Sequence, residues 1–119
     1  MTKIILVAED EDYNFYLVEE ILSSSGYSVI RAANGLEAID LCKSNYEINL
    51  VIMDIKLPYL DGYDATRQIK LIRPDLPIIA QTAYAFELDR EKALEAGCSD
   101  YISKPLNSDL LLAMIKQLL

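Results

Sequence analysis

Two textures alternate along this chain, and the alternation limits its fold more than any other feature. Five short runs, 4–8, 28–32, 50–53, 77–81 and 100–103, are apolar and rich in β-branched residues, with turn residues at their ends. Such runs read as buried strands. Longer amphipathic stretches lie between them. Leu17, Val18, Ile21 and Leu22 share a helical face in the first, and Leu36, Ile39, Leu41 and Cys42 recur in the second. The second stretch opens with Asn34 and Glu37 at the spacing of a capping box. Ala65, Ile69 and Ile72 mark the third, and residues 86–96 form a weaker fourth that ends at Gly97, a residue suited to the C′ position. The fifth carries Leu110, Leu111, Met114, Ile115 and Leu118, with Asn107 or Ser108 as its cap.

Strands that alternate with helices imply a parallel sheet covered on both faces. Right-handed crossovers leave few topologies. The expected architecture is a doubly wound α/β sandwich with strand order 2-1-3-4-5, and its binding crevice lies at the carboxyl ends of strands 1 and 3. At 119 residues the chain makes one domain, 1–119.

Composition removes several functions. An apolar share of 52% supports a core, and no apolar run approaches the ~20 residues of a membrane span. No signal-peptide pattern opens the chain, so a cytoplasmic location is expected. The net charge of −8 disfavours direct binding to nucleic acid or to an anionic membrane. Without histidine the chain has no His-dependent triad, no His–metal site and no phosphohistidine of its own. It also lacks the glycine-rich phosphate loops of nucleotide-binding domains. Cys42 and Cys98 stand outside any metal-ligand spacing and read as small buried thiols.

The chemistry gathers where the strands end. Strand 1 runs into Glu9, Asp10, Glu11 and Asp12, strand 3 into Asp54, strand 4 into Gln81 and Thr82, and strand 5 into Lys104. Neighbouring strands are about 4.8 Å apart, which places Asp54 within reach of Glu9 and Asp10. Like charges about 4 Å apart cost roughly 1–4 kcal/mol per pair, so three carboxylates there call for a cation. A hard divalent ion with oxygen ligands answers that need, and Mg²⁺ is usual where phosphate also binds. Lys104 starts roughly 10 Å away, two strands over, a gap that an extended lysine largely spans. The Thr82 hydroxyl lies on the strand between. Together these groups suit transfer of a phosphoryl group onto the Asp54 carboxylate, with cation and lysine neutralising the phosphoryl oxygens. Taken singly, each residue has an ordinary explanation. An acidic run at a helix start complements the macrodipole, a lone aspartate caps a turn, and a lone lysine is solvated.

The combination resembles the response-regulator receiver family of two-component systems over essentially the whole chain. The matching pieces are Ile5-Leu6-Val7-Ala8-Glu9-Asp10-Glu11, Val51-Ile52-Met53-Asp54-Ile55-Lys56-Leu57-Pro58 with Asp61-Gly62, Thr82-Ala83, and Asp100-Tyr101-Ile102-Ser103-Lys104-Pro105. The resemblance implies a flavodoxin-like (βα)5 fold and phosphorelay signalling. It makes Asp54 the phosphoacceptor, taking its phosphoryl group from a histidine kinase or a histidine phosphotransfer domain. Glu9, Asp10, Asp54 and the Lys56 carbonyl would hold Mg²⁺, while Thr82 and Lys104 would grip the phosphoryl oxygens. Tyr101 would turn inward with Thr82 and switch the surface around the fourth helix, fifth strand and fifth helix. The bond before Pro105 would be cis. Such a domain catalyses only its own phosphorylation and dephosphorylation, so it is not counted an enzyme.

One departure is Glu9, where the family often has Asp, which implies altered metal geometry. Tyr84 is bulky and is expected to slow loss of the phosphoryl group. The donor is expected to dock on the first helix, where Tyr13, Phe15 and Tyr16 crowd one turn. The segments after strands 4 and 5 look like receivers of hybrid sensor histidine kinases, so the domain is expected to be a module of such a kinase, with a stand-alone receiver as the alternative. Rival readings fit less well. A haloacid-dehalogenase phosphatase needs a second Asp where Lys56 stands, and Glu9–Asp12 would repel the phosphate of a flavin carrier. A degenerate receiver that only binds partners would not need the full set of Glu9, Asp10, Asp54, Thr82 and Lys104.

Overall fold

The computed structural model describes residues 2–83, 87–104 and 106–119, with the side chains of 87–89 outside the description. Five strands, β1 (Ile4–Ala8), β2 (Ser28–Ala32), β3 (Ile48–Asp54), β4 (Ile78–Thr82) and β5 (Asp100–Ser103), form one parallel sheet in the order β2-β1-β3-β4-β5. This is the expected order. Between and after them run α1 (Asp12–Ser24), α2 (Gly35–Ser44), α3 (Gly62–Ile72), α4 (Glu87–Ala96) and α5 (Ser108–Leu118).

The sheet has two covered faces because the apolar runs of its central strands send large side chains to both sides, so each face needs a layer of helices. On one face Leu6, Val51, Met53, Ile78 and Ala80 pack with Ala38, Ile39 and Cys42 of α2, Ala65 and Ile69 of α3, and Ala93 of α4. On the other, Ile5, Val7, Leu50, Ile52, Ile79 and Ile102 pack with Phe15, Val18 and Leu22 of α1 and Leu111 and Ile115 of α5. Cys42 and Cys98 are buried free thiols, pushed up to about 11 chiefly by burial, and behave as core side chains.

Two strands differ at their ends from the sequence reading. β3 begins two residues earlier, at Ile48, because Asn49 is a structural polar residue inside the apolar run. Its side chain accepts the Ile4 N–H at 2.8 Å, beside the register shift between Ile4 and Ile5. β4 begins after Pro77, which has no N–H to give the ladder but accepts from the Val51 N–H at 3.0 Å. It ends one residue later, at Thr82.

Helix faces are narrower than the apolar pattern. Leu17, Leu36 and Leu110 are exposed, while their neighbours Val18, Leu111 and the Ala38–Ile39 pair are buried. Successive helix residues point about 100° apart, so an apolar residue one step outside the buried stripe turns to solvent. On α1 the buried line is Phe15, Val18 and Leu22, whereas Tyr13 and Tyr16 lie on the surface.

Helix ends follow local chemistry. The Asn34 side chain accepts the Glu37 N–H at 2.8 Å, and Glu37 reaches back to the Ala33 N–H at 3.3 Å, one residue beyond a standard capping box. Asn107, rather than Ser108, caps α5 through the Leu110 N–H at 3.1 Å. Gly97 closes α4 with φ of 112°, a left-handed geometry that favours glycine. The cap predicts a measurable cost. Asn34→Ala should lower stability by about 1 kcal/mol and Asn34→Gly by only a few tenths, as read from urea midpoints at unchanged slope. Equal losses in the two variants would show that the side-chain bond is not what holds this end.

Candidate functional site

The site follows from the two-residue period of the strands. Val7, Ile52, Ile79 and Ile102 all pack on the α1/α5 face. Two residues further along each strand stand Glu9, Asp54, Gln81 and Lys104. The same parity therefore carries one polar side chain per strand to one corner of the sheet. The ladder continues past the strand ends to fix their backbones. Glu9 N–H donates to Ala32 at 3.0 Å, Ile55 N–H to Gln81 at 3.1 Å, and Lys104 N–H to Thr82 at 2.7 Å.

Their side chains meet. The Lys104 ammonium lies 3.1 Å from Glu9 Oε1 and 3.3 Å from Asp54 Oδ2, so it spans the distance read from the sequence and joins both carboxylates. Glu9 and Asp54 are buried, with relative exposures of 1% and 6%. Gln81 donates to Glu9 Oε1 at 3.4 Å, and the Glu11 N–H donates to Glu9 Oε2 at 3.3 Å. Asp54 Oδ1 accepts the Lys56 N–H at 3.1 Å, which folds the β3–α3 loop back beside the carboxylate. Asp10 is exposed, yet one carboxylate oxygen each from Glu9, Asp10 and Asp54 lies within 4.8 Å of the others.

The electrostatics record the crowding. Burial first, and then the negative charge of Asp54, push the Glu9 carboxyl up to about 7. Lys104 is held above its ordinary value. Burial alone would pull it down, but Asp54 and Glu9 more than offset that.

The three carboxylates fit a divalent ion. Octahedral ligands at about 2.1 Å from Mg²⁺ lie roughly 3 to 4 Å apart, a spacing of the same order as the 4.8 Å within which these oxygens gather. Carboxylate oxygen is the donor a hard ion prefers, and a buried acid that holds its proton near neutrality marks a place where a cation would relieve repulsion.

The other expected residues are placed as follows. Thr82 is buried at the end of β4, and Lys56 is exposed on the loop after Asp54. Tyr101 is half-buried on the opposite face of β5 from Lys104, packed against the cluster under α2, α3 and α4. Tyr84 and the bond before Pro105 lie outside the described residues, as does Phe86 at the start of the expected fourth helix.

Three supporting residues carry no role in the sequence reading. Gln81 is the one amide on the rim, and its signal was a polar residue inside an apolar strand. Gly62 opens α3, and a Cβ there would overlap the Asp54 carbonyl and stand 2.8 Å from Ile55 Cα. Only glycine lets the first turn of α3 press against the backbone of Asp54. Arg31, on β2, donates to the Glu9 carbonyl at 3.2 Å.

A doubly wound domain with clustered carboxylates and a lysine at its strand ends has the layout of a phosphorelay signalling domain. Comparison with known proteins agrees. Residues 5–116 match the model of the response regulator receiver domain. The polar-differentiation response regulator DivK of Brucella ovis is 37% identical over 121 residues, covering 100% of this chain and 98% of its own length. The receiver domain of the sensor histidine kinase PA1611 from Pseudomonas aeruginosa, described with a magnesium ion coordinated in its active site cleft, is 37% identical with a TM-score of 0.91. That match covers 98% of this chain and 97% of the other. A CheY-like receiver domain protein from Methanospirillum hungatei is 32% identical at a TM-score of 0.91, over 98% of this chain and 93% of the other. The chain belongs to the response regulator receiver domain family, and its general function is two-component phosphorelay signalling.

Glu9 would make metal binding at this cluster pH-dependent in a defined direction. Its carboxyl binds a proton more tightly in the folded chain, at about 7, than at the ordinary value of 4.5. Its contribution to metal-free stability is therefore full below the ordinary value and is lost as pH rises through about 7. A divalent ion takes the deprotonated form, so the gain in Tm on adding Mg²⁺ should grow from about pH 5 to about pH 8. In Glu9→Gln that growth should be largely lost. A gain of the same size across this window in the wild type would count against Glu9 as a ligand.

Proposed function

We propose that the chain accepts a phosphoryl group on Asp54 from a phosphohistidine donor in a Mg²⁺-dependent reaction. The observation that carries this reading is the Lys104 ammonium joined to both Glu9 and Asp54, with Asp10 beside them. Asp54 is the nucleophile. Its carboxylate oxygen forms a P–O bond as the P–N bond of the donor breaks, and the histidine leaves as the neutral imidazole after protonation. Lys104 carries the positive charge that meets the phosphoryl oxygens, and Thr82 offers its hydroxyl to one of them. Glu9, Asp10, Asp54 and the Lys56 carbonyl would hold Mg²⁺, which when bound offsets the charge of nucleophile and phosphoryl group. Such a domain turns over only its own acyl phosphate, so we class it as a switch and not as an enzyme.

The signal would leave through α4, β5 and α5. Lys104 and Thr82 are joined along the backbone, so a Thr82 drawn toward phosphate alters the edge on which Tyr101 sits. Tyr101 turning inward is the readout this reading assigns. The donor, a histidine kinase or histidine phosphotransfer domain, would approach over α1. Tyr13 and Tyr16 are 79% and 57% exposed there. Beside them a cavity of about 390 Å³ lined by Tyr13, Asn14, Leu17, Gln81, Lys104 and Leu106 leads to the reactive lysine. The net charge of −8 disfavours nucleic acid as a direct partner. Among the described residues no helix is long and apolar enough to cross a membrane, and we assign the domain to the cytoplasm, where such donors present their phosphohistidine. The likeness to the receiver of a sensor kinase supports a module of a hybrid kinase.

Incubation with Mg²⁺ and acetyl phosphate, followed by intact-mass measurement, tests the reading. Wild type should gain one phosphoryl group, and chelation of Mg²⁺ or Asp54→Ala should abolish the gain. An unmodified wild type, or the same adduct on Asp54→Ala, would overturn it and leave the chain a partner-binding receiver only.

A further inference from the structure

The edge strand β2 carries a single charged residue, Arg31. Its guanidinium makes three contacts across the start of α1. Nε donates to the Glu9 carbonyl at 3.2 Å, Nη1 donates to Asp12 Oδ1 at 2.9 Å, and Cζ lies 4.6 Å from the centroid of the Phe15 ring. The side chain is only 25% exposed. Phe15 is buried and gives the guanidinium plane a fixed platform. The Asp12 bond is solvent-facing and of small energetic weight, so the Glu9 carbonyl and the ring do most to define where Arg31 sits.

The Glu9 carbonyl belongs to the peptide that joins Glu9 to Asp10. On the other side of Glu9, its N–H is bound to the Ala32 carbonyl at 3.0 Å. With both flanking peptides tied to β2, the backbone at Glu9 cannot rotate freely, and the direction of the Asp10 side chain is set from the peptide plane that Arg31 holds. We propose that Arg31 is a positioning residue for the cation site, fixing the Glu9–Asp10 peptide so that both carboxylates face one ion. The inference rests on the reading of Glu9 and Asp10 as metal ligands. It requires the fork and plane of arginine, since a lysine offers a point charge that cannot hold the carbonyl, Asp12 and the ring together.

Calorimetric titration of the full chain with Mg²⁺ tests it, alongside the amide resonance of Asp10 in Mg²⁺-free protein. Arg31→Ala should weaken Mg²⁺ binding about tenfold, the scale on which partners behind a metal ligand act, and should shift the Asp10 resonance before any metal is added. Phosphorylation at saturating Mg²⁺ should return to the wild-type end point. Arg31→Lys keeps the charge and should stay much closer to the Ala variant than to wild type. Phe15→Leu keeps every polar group but removes the platform, and should give an intermediate loss; these two variants carry the test if Arg31→Ala does not fold. Unchanged Mg²⁺ affinity in Arg31→Ala, or full recovery in Arg31→Lys, would overturn the proposal, the second by showing that charge alone is used. A wild type that binds no Mg²⁺ would instead overturn the reading of Glu9 and Asp10 as ligands.

Discussion

Everything at the working end of this domain depends on one ammonium group shared by two buried carboxylates. Lys104 meets Glu9 and Asp54 at 3.1 and 3.3 Å, joining the ends of β1, β3 and β5. Removing such charges from water is costly, and their mutual attraction repays the cost only with good geometry and further hydrogen bonds. Those bonds are present. Gln81 and the Glu11 N–H serve Glu9, and the Lys56 N–H serves Asp54. Among the described residues, no buried side-chain polar atom is left without a partner. A network of this kind defines one arrangement of four strand ends, and it does so with groups that a cation and a phosphoryl group can also engage.

The sheet makes the network possible because it converts sequence parity into position. Each strand delivers alternate side chains to the α1/α5 face, apolar along its body and polar at or just past its end. The parallel ladder keeps these last residues level, so Glu9, Asp54, Gln81 and Lys104 arrive together although they are far apart in the chain. Gly62 then lets α3 start directly against the Asp54 backbone. The helices cover both faces, and their packing supplies the stability that a crowded, charged rim does not.

This explains which parts were legible in the sequence. Strand runs, strand order and the rim residues Glu9, Asp10, Asp54, Thr82 and Lys104 follow from periodicity and from what stands at each run's end. Leu17, Leu36 and Leu110 lie on the surface although they fall in the apolar pattern, because periodicity does not say where the buried stripe of a helix ends. Ile48 and Asn49 belong to β3 although the apolar run starts at Leu50, because a polar residue that bonds the neighbouring strand looks like a break in the run. Arg31 was invisible for another reason. Its partner is a backbone carbonyl on a loop, and no spacing in the sequence records the direction of a peptide plane.

Glu9 and Asp10 are adjacent, yet they sit in opposite settings. Glu9 is buried against Lys104 and Gln81, and Asp10 is exposed. The division suits a site that must be stable before it is loaded. The longer glutamate side chain reaches inward to the ammonium, while the shorter aspartate stays at the surface, where on the proposed reading an ion would arrive. Three carboxylates against one ammonium leave two negative charges uncompensated when all are ionised. The proton that Glu9 holds up to about 7 is a partial substitute for the missing charge. A divalent ion is the full one, since its two positive charges equal the deficit and its oxygen ligands are already gathered. The same balance bears on phosphoryl transfer. On the proposed reading an ion would take over much of the attraction that Lys104 now supplies to Glu9 and Asp54, so the ammonium could turn toward an incoming phosphoryl oxygen.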